Sequence, residues 1–346
     1  MSITKKRDHV GFSSQVDEWP YSSYPTGWFQ IGWVDDLAPG EIKPTRYFGK
    51  DLVRFRTKSG KHHVLDAYCG HMGAHLGHGG WVEDECVVCP YHGWRWRGDG
   101  TNDYVPSEGM AIDRRRQRSW PVRVTNQIVW IWHDALGREP LWEPHAEQPE
   151  ASDPSYYPVL PHCVKRYEDI GGRPQYMTEN NADIEHLRWV HGARGPIELT
   201  EQNFEGPLLK ASVTLTLGYG REKTRLTPDG AIDTTLDSVC QSVGAILVRT
   251  PLDGSVLFSC ATPVTENTME MYITVLVKRE AGDMGDEPTG VAAARVREQF
   301  VQITRDFPIW NNQHYIKQSP LTRDEAKPMG TLRRWAAGFY PDPDSE

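Results

Sequence analysis

The sequence has no apolar run approaching the roughly eighteen residues that a membrane-spanning helix needs. Its first ten residues, MSITKKRDHV, also lack the apolar stretch that heads a secretory signal. Together these absences predict a cytoplasmic protein without a membrane span. Basic charge is in deficit too, with 38 Lys and Arg against 47 Asp and Glu, for a formal net charge of -9. Phosphate backbones are bound chiefly by Lys and Arg, so a nucleic-acid role is disfavoured. Cysteine is scarce. The six cysteines, at 69, 86, 89, 163, 240 and 260, are too scattered for a secreted disulfide framework and read as metal ligands plus buried thiols. Internal repeats and low-complexity tracts are absent as well, which removes solenoid and disordered architectures.

What is present suits an ordinary globular protein. A chain of 346 residues can bury two cores, and 13 Trp predict an aromatic-rich interior. Residues 1–24 are polar and aperiodic and read as an N-terminal arm. From 25 to 140, short apolar segments such as Trp28–Val34, Val53/Phe55, Val64-Leu65 and Ile128–Trp132 alternate with turn signals at Pro39-Gly40 and Ser59-Gly60, which predicts a small antiparallel β domain. Residues 141–160 are rich in Pro, Glu, Asp and Ser and read as a linker or boundary wrap. Beyond them, over 161–346, period-two alternation returns in Val213/Leu215/Leu217, Ile246/Val248 and Met271/Ile273/Val275/Val277, with turns at Pro228-Asp229-Gly230 and Leu252-Asp253-Gly254. Two stretches break this pattern: Glu179–His191, and Val291–Gln313 with Val296, Phe300, Ile303 and Trp310 at helical spacing. The fold class is therefore α+β.

The densest chemistry lies between Tyr68 and Trp96. Cys69-Gly70-His71 and Cys89-Pro90-Tyr91-His92 place two thiolates and two imidazoles on two short loops, which matches the ligand set of a Rieske 2Fe-2S centre. Neutral imidazoles remove negative charge from such a cluster and raise its potential. The competing reading is a structural zinc site built on the C-x-x-C pair Cys86 and Cys89 with two histidines, within a binding module that has no redox chemistry. It leaves Cys69 unused. His75 and His78 fall between the two ligand pairs and are assigned to neither.

A second constellation follows at Asn180-Asn181-Ala182-Asp183-Ile184-Glu185-His186, ending at His191. Asp183 and His186 share a helix face, and His191 converges with His186 if the helix stops near Gly192. Two imidazoles and one carboxylate on one face of an iron leave positions open for oxygen. Taken alone, the pair is better explained as two unrelated surface histidines.

With both patterns in one chain, the sequence resembles the oxygenase component of Rieske non-haem iron oxygenases, and within them the 3-ketosteroid 9α-hydroxylase group. The resemblance rests on LDAYCGHMGAHLGHG (65–79), CPYHGWRWRGDG (89–100), RRRQRSWPV (114–122), ENNADIEHLRWVH (179–191), DFPIWNNQ (306–313) and LRRWAAGFY (332–340). It implies an N-terminal antiparallel Rieske domain followed by a catalytic domain of helix-grip type, an antiparallel sheet flanked by helices. It also implies His186, His191 and Asp306 as ligands of a mononuclear Fe(II); the residues alone do not choose Asp306 over Glu298. Asn180 matches a position beside the iron, with Asn181 as its neighbour and rival. Asp183 is implied to bridge to a cluster histidine of the adjacent chain in a head-to-tail homotrimer, and to orient the imidazole it touches. The resemblance further implies O2 as oxidant, electrons from an NAD(P)H-dependent flavin and iron-sulfur reductase or from a ferredoxin plus reductase, and hydroxylation of a bulky, mostly apolar substrate such as a 3-ketosteroid. Ring dihydroxylation, demethylation and desaturation are the alternative outcomes. Finally, Arg114-Arg115-Arg116-Gln117-Arg118 reads either as a solvated face or as a docking site for an acidic donor.

Overall fold

The computed structural model describes residues 19–144, 148–218 and 229–341. Most of the predicted arm, and Pro228 of one predicted turn, lie outside the described residues. The N-terminal part is built from β1 (Gly27–Trp33), β2 (Ile42–Tyr47), β3 (Lys50–Arg56), β4 (His62–Asp66), β5 (Trp81–Glu83), β6 (Cys86–Val88), β7 (Arg95–Arg97), β8 (Asn102–Tyr104), β9 (Ser119–Trp120), β10 (Val122–Thr125) and β11 (Ile128–His133). These form three antiparallel sheets of order β1-β11-β10, β2-β3-β4-β9 and β5-β6-β7-β8.

Strands β1 and β11 are buried along their whole length because each of their faces meets a different core. Side chains alternate across a strand. Trp28, Trp33, Trp130 and Trp132 therefore turn toward the C-terminal sheet, while Phe29, Ile31, Val129 and Ile131 turn toward β2–β4. The tryptophans thus join the two halves of the molecule. A buried polar network adds direction to the junction: the Tyr47 hydroxyl donates to Glu270 at 2.8 Å, and Arg166 reaches the other carboxylate oxygen at 2.6 Å.

The C-terminal part carries β12 (Val164–Gly171), α1 (Pro174–Glu179), α2 (Glu185–Trp189), β13 (Ile197–Glu205), β14 (Leu208–Leu217), β15 (Ile232–Gln241), β16 (Ala245–Thr250), β17 (Ser255–Pro263), β18 (Thr268–Leu276), α3 (Gly290–Thr304), α4 (Phe307–Trp310) and α5 (Arg323–Ala337). Its seven strands form one antiparallel sheet of order β12-β18-β17-β16-β15-β14-β13. One face meets the tryptophans. The other packs on the helices through Leu209, Ala211, Ile246, Met271, Ile273 and Val275. The α+β class and the order of the two β parts follow the expectation.

Several details differ from it. Trp19 and Tyr21, at the end of the stretch read as an arm, pack into the C-terminal core, with Trp19 lying 4.9 Å from Tyr315 and 5.7 Å from Tyr340 between ring centroids. Aromatic area outweighs the polar residues around it. The predicted linker is a packed strap among the described residues, anchored by Trp142, Tyr156, Tyr157 and Val159. The stretch 179–191 holds the last residue of α1, a turn and the five-residue α2, and Val291–Gln313 breaks at Arg305-Asp306 into α3 and α4. Helix α5 was not anticipated, because Pro328 and Gly330 interrupt its pattern. The signal for it was Thr322-x-x-Glu325, which forms a capping box in the structure.

Candidate metal centres

The two cysteine loops adopt the same backbone turn. Cys69 N–H donates to the Ala74 carbonyl and Gly73 N–H returns to the Cys69 carbonyl, at 2.8 and 2.9 Å; Cys89 with Trp94 and Gly93 repeats this at 2.9 and 3.0 Å. The glycine four residues after each cysteine sits at φ +74° and +71°, a region that favours glycine. Both thiols are buried, whereas His71 and His92 are exposed, with their rings 4.7 Å apart. Trp96 Nε1–H points at Cys69 Sγ from 3.3 Å, and the His71 ring stacks on Trp94 at 4.4 Å. Burial pushes the Cys69 thiol up to about 11, so a thiolate there calls for a cationic partner. Two inner sulfurs and two outer imidazoles on matched loops fit a two-iron cluster with Cys on one iron and His on the other.

The zinc alternative fares poorly. Cys86 lies in β6 and Cys89 just after it, an odd step that turns their side chains to opposite faces of the extended chain. Burial drives the Cys86 thiol up to about 12. Among the described residues, one trio of His, Cys, Asp or Glu has ligating atoms all within 4.8 Å of one another, and it is His186, His191 and Asp306.

That trio is assembled by chain breaks. α2 ends at Trp189 with Val190 as its C-cap, which leaves the His191 ring 5.2 Å from the His186 ring, and Gly192 at φ +72° turns the chain away beyond it. Asp306 caps α4 at the α3–α4 break and places Oδ2 3.5 Å from His191 Nε2. His191 Nδ1–H donates to Gln302 Oε1 at 3.1 Å, and His186 Nδ1–H to the Asp183 carbonyl, so both Nε2 atoms keep their lone pairs. Burial pushes the Asp306 carboxyl up to about 7, and burial with the neighbouring His186 holds the His191 imidazole down to about 4. A buried carboxylate and two neutral imidazoles form a donor set that suits Fe(II).

Asn180 rather than Asn181 adjoins the site. Asn180 Nδ2 donates to Asp306 Oδ1 at 3.4 Å, whereas Asn181 donates to the Thr178 carbonyl. Glu298 is exposed. One expectation needs correction: it is the backbone carbonyl of Asp183 that holds the His186 ring, and its carboxylate accepts from the His186 backbone N–H at 3.3 Å. The helix turn brings the main chain nearer the ring than its own side chain. The Asp183 carboxylate instead borders a cavity of about 180 Å³ beside the trio, together with Glu179, Asn180, His186, Asp306 and Arg333. Sequence reasoning missed Gln302, whose helical offset from Asp306 was the available signal, and Arg333, which grips Glu179.

Comparisons with known proteins place both parts of the chain in known families. Residues 27–121 match the family described as Rieske [2Fe-2S] domain, and residues 131–340 the 3-ketosteroid 9alpha-hydroxylase C-terminal domain. A 3-ketosteroid-9-alpha-monooxygenase oxygenase component from Rhodococcus rhodochrous is 30% identical over 332 residues, covering 92% of this chain and 84% of the relative. The cholesterol 7-desaturase nvd of Bombyx mori is 28% identical over 333 residues, covering 92% and 70%. Among solved structures, dicamba monooxygenase with non-heme iron and dicamba superposes with a TM-score of 0.64 at 18% identity, over 91% of this chain and 97% of that one. The likeness to that structure is one of fold. The chain therefore belongs to the Rieske oxygenases whose catalytic part is the 3-ketosteroid 9alpha-hydroxylase C-terminal domain, oxidoreductases that pair a 2Fe-2S centre with a mononuclear iron.

Proposed function

We propose that the chain is the terminal oxygenase of a multicomponent monooxygenase that hydroxylates a bulky, mostly apolar substrate, a 3-ketosteroid or a related polycyclic. One observation carries the substrate class. The helix-facing side of β14–β18, including Val213, Leu215, Leu236, Val248, Leu257 and Ile273, has no charged side chain, and we take it as the substrate wall, apart from the cavity beside the trio that Glu179, Asp183 and Arg333 border. Such a wall cannot compensate a buried carboxylate or ammonium on a substrate, and it favours a neutral, apolar one. The relatives named for 3-ketosteroid and cholesterol chemistry support this reading.

In this reading Cys69, His71, Cys89 and His92 hold the cluster, and His186, His191 and Asp306 hold the iron. Bound there, the two centres supply single-electron transfer and oxygen activation. The chain's own residues prepare the site. Gln302 and the Asp183 carbonyl fix the imidazole tautomers, Asn180 steadies the Asp306 carboxylate, and the apolar wall positions a C–H bond and excludes water. Electrons would come from NAD(P)H through a flavin and iron-sulfur reductase, or a ferredoxin plus reductase.

No residue of the cluster loops lines the cavity beside the trio. We therefore place the donating cluster on a neighbouring chain of a head-to-tail homotrimer, with the Asp183 carboxylate as the hydrogen-bonded bridge across the contact. None of the helices among the described residues is long and apolar enough to cross a membrane, and we assign the enzyme to the cytoplasm.

Desaturation is the second reading, favoured by the cholesterol 7-desaturase relatives. Mass spectrometry of products under 18O2, with a surrogate reductase, NADH and a panel of 3-ketosteroids, sterols and aromatic acids, separates the two. One labelled oxygen on a ketosteroid is the expected result. Loss of two hydrogens without label would establish desaturation. Turnover confined to aromatic acids would overturn the substrate class.

A further inference from the structure

The sequence singles out one charged run that the oxygenase chemistry does not use. Arg114, Arg115, Arg116 and Arg118 are all exposed on a turn between β8 and β9. Nearby Arg95 and Arg97 are neutralised by Glu83 and Asp103, but among the described residues none of these four forms an ion pair within 4.0 Å. On a chain of net charge -9 they make a local reversal of sign.

Where this reversal sits gives it meaning. Gln117, in the middle of the run, is buried at 5% exposure and turned inward. Its Oε1 accepts from Gly70 N–H at 3.0 Å, and its Nε2 donates to the carbonyls of Asp66 and Tyr68 at 2.7 and 2.9 Å. A Cβ placed on Gly70 would lie 3.5 Å from the Arg116 carbonyl oxygen. Gly70 stands between Cys69 and His71, so the arginine turn is fastened directly to the first cysteine loop. Its base is held by a bridge between Thr101 and Arg116 and by Gln117 N–H to the Gly100 carbonyl at 2.7 Å. Exposed Tyr68 and Met72 add apolar surface beside it.

Transient electron-transfer contacts are small and are guided by opposite charge around the redox centre. We propose that the Arg114–Arg118 turn is the docking surface for an acidic electron-carrier protein, an iron-sulfur or flavin protein with carboxylates around its cofactor. Each encounter passes one electron from the reduced carrier to the oxidised cluster, with no atom exchanged. This rests on the assignment of the cluster and is independent of the steroid assignment.

The test uses the holoenzyme and an acidic plant-type 2Fe-2S ferredoxin as probe. Arg114→Glu/Arg115→Glu reverses two side chains that make no ion pair among the described residues; Lys327→Glu, exposed on α5, is the control for charge change alone. Ferredoxin affinity should weaken about tenfold or more in the double variant, with a flattened salt dependence, and stay at the wild-type value in the control. Dithionite should still reduce the cluster at the wild-type rate, and the oligomeric state should not change. Equal ferredoxin affinity at low salt would overturn the proposal. Dissociation of the oligomer would overturn it too, by making the turn a subunit contact. Absence of labile sulfide from the wild type would instead show that the cluster reading had failed.

Discussion

Arg333 of α5 grips Glu179, the last residue of α1, through two hydrogen bonds of 2.9 Å, from Nε to Oε1 and from Nη2 to Oε2. Gln175 adds a third bond to the same carboxylate at 2.9 Å. The next residue in the chain is Asn180, whose amide meets Asp306. The pair therefore ties a helix near the C-terminus of the described chain to the wall of the candidate iron site.

Removing one partner should show how much that tie contributes. Arg333→Met would leave a carboxylate with 8% side-chain exposure and no cation, a change that costs about 3 kcal/mol or more. Thermal unfolding should shift clearly downward, and the double variant Glu179→Leu/Arg333→Met should recover part of the loss. A single variant that melts with the wild type would mean that the pair does not hold α5 to α1.

Asp183→Asn preserves the size of the side chain and an oxygen for the His186 backbone N–H. Iron and sulfide content should stay at the wild-type level while electron transfer between the centres, followed by reoxidation of the reduced cluster in the presence of substrate, nearly stops. Normal turnover would rule out the bridging role.

Metal content distinguishes the two centres. The wild type should bind about three irons and two labile sulfides per chain, the sum of one Rieske cluster and one iron. In Asp306→Ala the mononuclear site loses its carboxylate, and the count should fall to about two irons with the visible spectrum of the cluster unchanged. Loss of the cluster spectrum in this variant would contradict the separation of the sites.

His133 should make the fold acid-sensitive. Its ring is enclosed by Phe48 and Trp120, its Nδ1–H donates to the Pro25 carbonyl at 2.9 Å, and burial pulls its pKa down to about 4. The unfolded chain binds a proton near pH 6.5 that the native ring refuses. The stabilisation is therefore complete above pH 6.5 and is lost as pH falls toward 4, by about 3 kcal/mol in all. Over that window His133→Gln should lose about 3 kcal/mol less stability than the wild type; parallel pH profiles would show that other groups set the acid limit.

The chemistry was legible in the sequence because it is local. Each cysteine loop carries its candidate ligands within four residues and its turn glycine at the fifth, and His186 and His191 lie five residues apart at the end of one short helix. Alternation marked the central strands for the same reason, since a period of two is visible in any short window.

Tertiary structure decided what depends on distant residues. Asp306 and Glu298 are equivalent acids in sequence, and only the helix break separates the buried one from the exposed one. Trp19, Trp142 and Arg333 find their partners across more than one hundred residues, in the cores and at the wall of the cavity. The sequence alone determined the candidate ligands and the short turns that present them. Which acid completes the trio, which residues steady it and what surrounds it were settled by packing, because burial is a property of the assembled molecule and of no single segment.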